Sequence, residues 1–148
     1  MNLKSNSEKC ASDLMEVMPL VMNFIRTQMR SHSASLLTVP QFRVLAFLKR
    51  HPDCSLSAVA EHLGVSRPTA SAMVERLVQQ GFVNRSEHPQ ERRQVELKLT
   101  EAGYRYFEQI REKTRKEIAD QLGNLSETQL SSLREGIALL YQVFNQWH

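Results

Sequence analysis

The chain has 148 residues, 41% of them hydrophobic, with a formal net charge of +3, a length that fits one compact domain with a real apolar core. No run of about 18 uncharged apolar residues is present to span a membrane, and the polar opening from Met1 to Lys9 has no apolar stretch suited to a signal peptide. Cys10 and Cys54 lie far apart with no metal-ligand spacing, so a reduced, cytoplasmic setting is expected, with no cofactor, no metal and no membrane partner. The charge is unevenly spread. Residues 40–105 carry ten Lys/Arg against seven Asp/Glu, residues 1–39 four against three, and residues 106–148 five against six. A polyanion contacted by the middle of the chain would fit that distribution.

After a polar, frayed start, Asp13 to Arg30 carries a helical pattern. Its apolar residues (Leu14, Met15, Val17, Met18, Leu20, Val21, Met22, Phe24, Ile25) cover almost the whole circumference. A surface helix of a monomer should show one stripe, so burial against a second subunit is expected. Pro19 predicts a kink or break near Met18. A second helix opens with a capping box, Thr38 and Gln41, stapled by Leu37 and Phe42. It ends near His51–Asp53. Ser55 caps a third helix, which Gly64 stops. Ser66 caps a fourth, which runs to Gln80 and ends at Gly81.

The period then changes. Val95, Leu97 and Leu99 alternate with Glu96 and Lys98 as a half-buried strand, with residues 82–86 as its antiparallel partner and the polar segment 88–94 as the hairpin tip. From Thr100 the helical period returns through Tyr104, Phe107, Ile110, Thr114, Ile118 and Leu122. A final helix opens with a second capping box, Ser126 and Gln129, and carries Leu133, Ile137, Leu140, Val143, Phe144 and Trp147. The predicted order is α-α-α-α-β-β-α-α: a mainly α chain with a small β-hairpin wing.

The stretch from Ser57 to Leu77 meets the needs of a helix-turn-helix. Ala60 is small where the helices cross, Gly64 permits the positive φ of the turn, and Val59, Leu63, Val65, Ala70 and Met73 fix the crossing angle. The second helix begins Ser66-Arg67-Pro68-Thr69, small and polar at the end that a recognition helix presents to base edges and phosphates. An Ala-x-x-x-Gly pair alone fits an ordinary helical corner equally well. The hairpin that follows tips the reading to a winged helix-turn-helix, with Arg92 and Arg93 at a tip suited to a narrow minor groove. The residues expected to contact DNA are Ser55, Ser66, Arg67, Pro68, Thr69, Ser71, Arg76, Arg85, Arg92, Arg93 and Gln94.

The sequence resembles the MarR (multiple antibiotic resistance regulator) family over nearly the whole chain. The resemblance is carried by Leu37-Thr-x-x-Gln-Phe42, Leu56-Ser-x-x-Ala-x-x-Leu-Gly64, Val65-Ser-x-x-Thr69, the run Val74–Val83, and Glu91-Arg-Arg-x-Val-x-Leu-x-Leu-Thr-x-x-Gly103. The chain departs from the family's Asp-x-x-Asp-Arg-Arg wing at His88 and Glu91, and from common recognition-helix residues at Ala72 and Pro68. What the resemblance implies is one MarR-type domain over 1–148, with a DNA-binding lobe at 36–103 and a helical dimerisation region at 11–35 and 104–148. It further implies an interlocked homodimer and a transcriptional regulator, a repressor, on a pseudo-palindromic operator whose half-sites lie roughly 10 bp apart. Leu14, Met18, Val21, Leu140, Phe144 and Trp147 are the expected dimer contacts.

Relatives of this kind respond to small aromatic or lipophilic effectors, or to oxidants, between the dimer helices and the DNA-binding lobe. Met18, Met22, Met29 and Phe24 read first as core or interface and second as the lining of an adaptable pocket; the ligand-binding residues stay unassigned. Cys10 has only Lys9 as a positive neighbour, a poor setting for a reactive thiolate. Nothing supports an enzyme: there is no phosphate loop, nucleophile elbow or paired carboxylate. A winged helix that serves only protein contacts should have lost its basic residues, and here Arg67, Arg76, Arg85, Arg92 and Arg93 remain.

Overall fold

The structure, a computed structural model, describes residues 3–33, 37–87 and 95–145. Among the described residues, six helices and a three-stranded antiparallel sheet follow one another as α1 (Leu3–Ser33), α2 (Val39–Arg50), β1 (Cys54–Ser55), α3 (Leu56–Leu63), α4 (Arg67–Gln79), β2 (Val83–Glu87), β3 (Val95–Leu99), α5 (Glu101–Leu122) and α6 (Glu127–Phe144). The mainly helical class and the winged hairpin are as expected from sequence, and three details differ.

Helix α1 starts at Leu3, not Asp13, and runs unbroken through Pro19. An apolar period cannot reveal a helical segment that is polar all round, and residues 6–13 are all exposed. Proline removes one backbone donor and crowds the preceding turn, yet sixteen residues precede it in the helix and fourteen follow. The ladder on both sides holds across the gap.

The second difference is β1. This two-residue strand pairs with β3 (Cys54 opposite Leu97, Ser55 opposite Glu96), giving the sheet order β1-β3-β2. Two residues are too few to display alternation. The register is fixed from outside: Asp53, at φ 64°, donates its N–H to the Leu97 carbonyl (3.1 Å). Third, β2 runs Val83–Glu87, one residue later than expected, because the Phe82 N–H is committed to the Leu77 carbonyl (2.9 Å). That bond, with Gly81 N–H to Val78 O (3.0 Å) and Gly81 at φ 81°, closes α4 as a Schellman turn.

The two capping boxes form as read. In the first, Thr38 N–H donates to Gln41 Oε1 (2.9 Å) and Gln41 N–H to Thr38 Oγ1 (3.3 Å). This satisfies an orphan donor and also lets the Gln41 side chain be buried without penalty. The core lies where α2, α3, α4, the sheet and α5 meet. Val44, Leu45, Leu48, Val59, Ala70, Val74, Leu77, Val83 and Leu97 are almost wholly buried, each large one worth roughly 1.5–3 kcal/mol of transfer free energy. Phe42 stacks on Phe107 at 4.9 Å and Phe82 on Tyr106 at 4.8 Å, tying α2 and the root of the hairpin to α5. Helix α6 is different: none of its residues is buried.

Candidate nucleic-acid interface

The helix-turn-helix is assembled by two caps and one glycine. Ser55 Oγ accepts the Ala58 N–H (3.1 Å) at the start of α3. The helix ends at Gly64, φ 69° and ψ 34°, where Val65 N–H reaches Ala60 O (3.0 Å) and Gly64 N–H reaches Glu61 O (3.2 Å). Only a residue without a β-carbon takes that left-handed turn at no steric cost. Ala60 and Ala70 are both buried, so the helices pass closely at small side chains. Ser66 then takes extended backbone, and its Oγ accepts the Thr69 N–H (3.3 Å) while standing 2.9 Å from Thr69 Oγ1.

At the head of α4, Ser66, Arg67, Pro68 and Thr69 are exposed together, around a helix start whose remaining N–H groups carry positive dipole charge. Ala70, Val74 and Leu77 bury one face of α4. Helical geometry therefore puts Pro68, Ala72, Glu75 and Gln79 at the centre of the exposed side, with Thr69 and Arg76 on one flank. Ser71 is half-buried, and the half-buried Ser55 spends its hydroxyl on the cap. Arg85, in the middle of β2, bonds Glu75 of α4: Nη1 lies 3.0 Å from Oε2. Arg92, Arg93, Gln94 and His88 lie outside the described residues, as does Trp147.

Sequence reasoning missed the carboxylates. Glu75 meets Arg85, Asp53 Oδ1 meets Lys98 Nζ at 3.3 Å, and Glu108 of α5 meets Lys49 of α2. The partners are 10, 45 and 59 positions apart, and no local pattern marks them. Lys49 also stands over the Tyr104 and Phe107 rings. His51 and His62 both lie against the Phe47 ring, at 4.6 and 4.5 Å. Among the described residues no three His, Cys, Asp or Glu side chains converge as metal ligands, and no helix is long and apolar enough to cross a membrane. Burial pushes the Cys54 thiol above its ordinary range, so it stays protonated and unreactive. Cys10 is exposed.

Among the described residues, apolar depressions lie away from the α4 face, two of them large. One of about 610 Å³ runs between α1 and α6 and is lined by Leu14, Met15, Met18, Ile137, Leu140 and Phe144, among others. Five of the six expected dimer contacts are among the described residues: Leu14, Met18, Leu140 and Phe144 line this furrow, and Val21 is exposed on α1. The other, of about 390 Å³, is walled by Ile25 and Met29 of α1, Phe42 of α2, and Thr114, Ile118 and Leu122 of α5, with Arg111 and Arg115 at its edge. Met29 is the one residue of the notional methionine and Phe24 lining that reaches it.

The MarR family matches residues 37–95. The chain is 32% identical over 104 residues to the HTH-type transcriptional regulator YfiV of Bacillus subtilis, covering 70% of this chain and 65% of that one. It is 27% identical over 105 residues to the HTH-type transcriptional repressor IacR of Pseudomonas putida, covering 71% and 63%. The chain thus spans a little under two thirds of the length of these relatives. The crystal structure of RV1404 from Mycobacterium tuberculosis superposes with a TM-score of 0.82 at 25% identity, over 94% of both chains. Residues 37–95 thus match the MarR family, and the helix order and two-stranded wing agree with that match.

Proposed function

We propose that the chain is a DNA-binding transcriptional regulator, a repressor, that acts as a homodimer on a pseudo-palindromic operator in the cytoplasm. The observation that carries the reading is the head of α4, where Ser66, Arg67, Pro68 and Thr69 project from a capped helix start beside a two-stranded wing. A helix so presented fits the major groove, its first turn meeting base edges and phosphates. Arg67 and Thr69 are the base readers, with Ser66, Pro68 and Ser71 around them. Arg76 and Arg85 serve the backbone, and Arg92, Arg93 and Gln94 at the wing tip serve the adjacent minor groove. Ser55 contributes by capping α3.

Residues 36–103 form the DNA-binding lobe of a single domain, and 11–35 with 104–148 the dimerisation region. The support is physical. Met15, Leu20, Ile137, Leu139, Val143 and Phe144 are all more than half exposed in the isolated chain, an apolar surface larger than a monomer keeps in water. A second copy of α1 and α6 would cover it, and a two-fold dimer presents two recognition helices to two related half-sites. The cavity between α1, α2 and α5 is a reasonable seat for a small aromatic or lipophilic effector. It joins a helix of the reading lobe to two helices of the dimer region, so an occupant could bias the spacing of the lobes.

Selecting bound sequences from a random duplex pool tests the reading. Enrichment of a two-fold symmetric motif is expected, and the absence of any enriched duplex would overturn it.

A further inference from the structure

Glu75 is the only acidic residue of α4, and it stands on the exposed side that would face a polyphosphate. A carboxylate there repels the proposed ligand unless it serves something else. What it serves is Arg85, whose Nη1 donates to Glu75 Oε2 at 3.0 Å. The sheet register explains why the two can meet. Arg85 lies opposite Leu97, and Val83 opposite Leu99, so Arg85 shares the face of the buried Val83 and Leu97 and points toward the helices. Its guanidinium emerges at the edge of that face, over α4.

Two of the contacts between wing and recognition helix lie apart along the strand. The first is the root, where Phe82 N–H bonds Leu77 O at 2.9 Å and Thr100 Oγ1 donates to Gly81 O at 2.6 Å. The second is the ion pair, three residues or roughly 10 Å further along β2. Strand β1 steadies the β3 edge of the hairpin at Leu97; on the β2 edge the ion pair adds to the root a second tie, separated along the strand, that sets the angle between wing and α4. We infer that Glu75 is a positioning residue, which acts through Arg85 to hold the wing at the angle where wing and α4 meet the same duplex. The inference rests on the DNA-binding reading.

The test is a double-mutant cycle on the full chain, with fluorescence anisotropy against the best selected duplex at several salt concentrations. Glu75→Gln removes a negative charge from the DNA-facing side, so simple electrostatics predicts tighter binding. If Glu75 positions the wing, binding instead weakens, by roughly 3- to 30-fold, with unchanged circular dichroism and thermal midpoint. In an Arg85→Gln background the same substitution then costs nothing. Glu75→Asp keeps the charge but falls one methylene short of Arg85, and should lose affinity as well. Equal or tighter binding by Glu75→Gln, wild-type affinity of Glu75→Asp, or an undiminished loss in the Arg85→Gln background would each overturn the inference while leaving DNA binding intact. Failure of the wild type to bind any duplex would overturn both.

Discussion

A β-carbon on Gly103 would overlap the carbonyl oxygen of Phe82 and stand 2.9 Å from its carbonyl carbon. Helix α5 thus begins pressed against the backbone that links α4 to the wing. The same carbonyl accepts the Thr100 N–H at 3.0 Å, and Thr100 Oγ1 both caps α5, through Gly103 N–H at 2.9 Å, and bonds Gly81. Gly103→Ala must push backbone against backbone, with no flexible side chain to yield. Overpacking of this kind costs roughly 1–3 kcal/mol. Thermal unfolding should show a clear drop in midpoint, with DNA affinity reduced through the displaced wing. A wild-type midpoint would mean that the junction relaxes easily.

That junction also shows how far the sequence could be read. Thr100 and Gly103 are recognisable as a motif because they sit three residues apart on one helix start. Their shared partner, the segment 81–82, is some twenty residues earlier and emerges only when β2 folds back on β3. Caps, Schellman glycines and strand alternation were legible for the same reason: each is written within about five residues. The strand β1, the true start of α1, and the pairing of Glu75 with Arg85 were not, since each depends on a partner brought up by tertiary structure or on a polar surface that carries no period.

The head of α4 separates capping from reading. Ser66→Ala removes the acceptor for the Thr69 N–H, which should cost about 1 kcal/mol of stability and weaken binding to all duplexes alike. Thr69→Val leaves the cap in place and should change which base is preferred at one position per half-site, a discrimination of ~1–3 kcal/mol if the hydroxyl reads a base edge. Repeating the duplex selection with both variants checks this, and an unchanged consensus for Thr69→Val would remove Thr69 from the readers.

Backbone contacts have a different signature. Arg92→Ala should weaken binding to every duplex and lower the slope of log affinity against log salt by about one unit for each lost phosphate contact. Arg85→Ala should lower it less, because Glu75 already neutralises part of that charge. Titrations of both variants at four or five salt concentrations would rank them, and identical slopes for Arg92→Ala and wild type would sink the wing assignment.

For the apolar furrow between α1 and α6 the measurement is mass. Ile137 and Phe144 are 53% and 54% exposed in the isolated chain, so acidic substitutions there would be nearly neutral in a monomer, within about 0.5 kcal/mol. In a dimer that buries them they would be disruptive. Sedimentation of the wild type should give twice the chain mass of 17.1 kDa. The double variant Ile137→Glu, Phe144→Glu should shift toward one chain. A folded wild-type monomer at micromolar concentration would reject the dimer.

Thr114 allows the proposed effector cavity to be tested apart from the fold. The residue is 6% exposed, and its Oγ1 has no hydrogen-bond partner among the described residues. A buried hydroxyl left unpaired costs roughly 1–3 kcal/mol, so replacing it by a methyl group of the same shape should leave stability unchanged or raise it. Thr114→Val should therefore unfold at the wild-type midpoint or above, while an aromatic or lipophilic acid that raises the wild-type midpoint by binding in the cavity should raise the variant's less if it engages the hydroxyl. Ala119→Trp, which fills the same space from α5, should abolish the ligand's shift. An undiminished shift in Ala119→Trp would place the effector elsewhere on the protein.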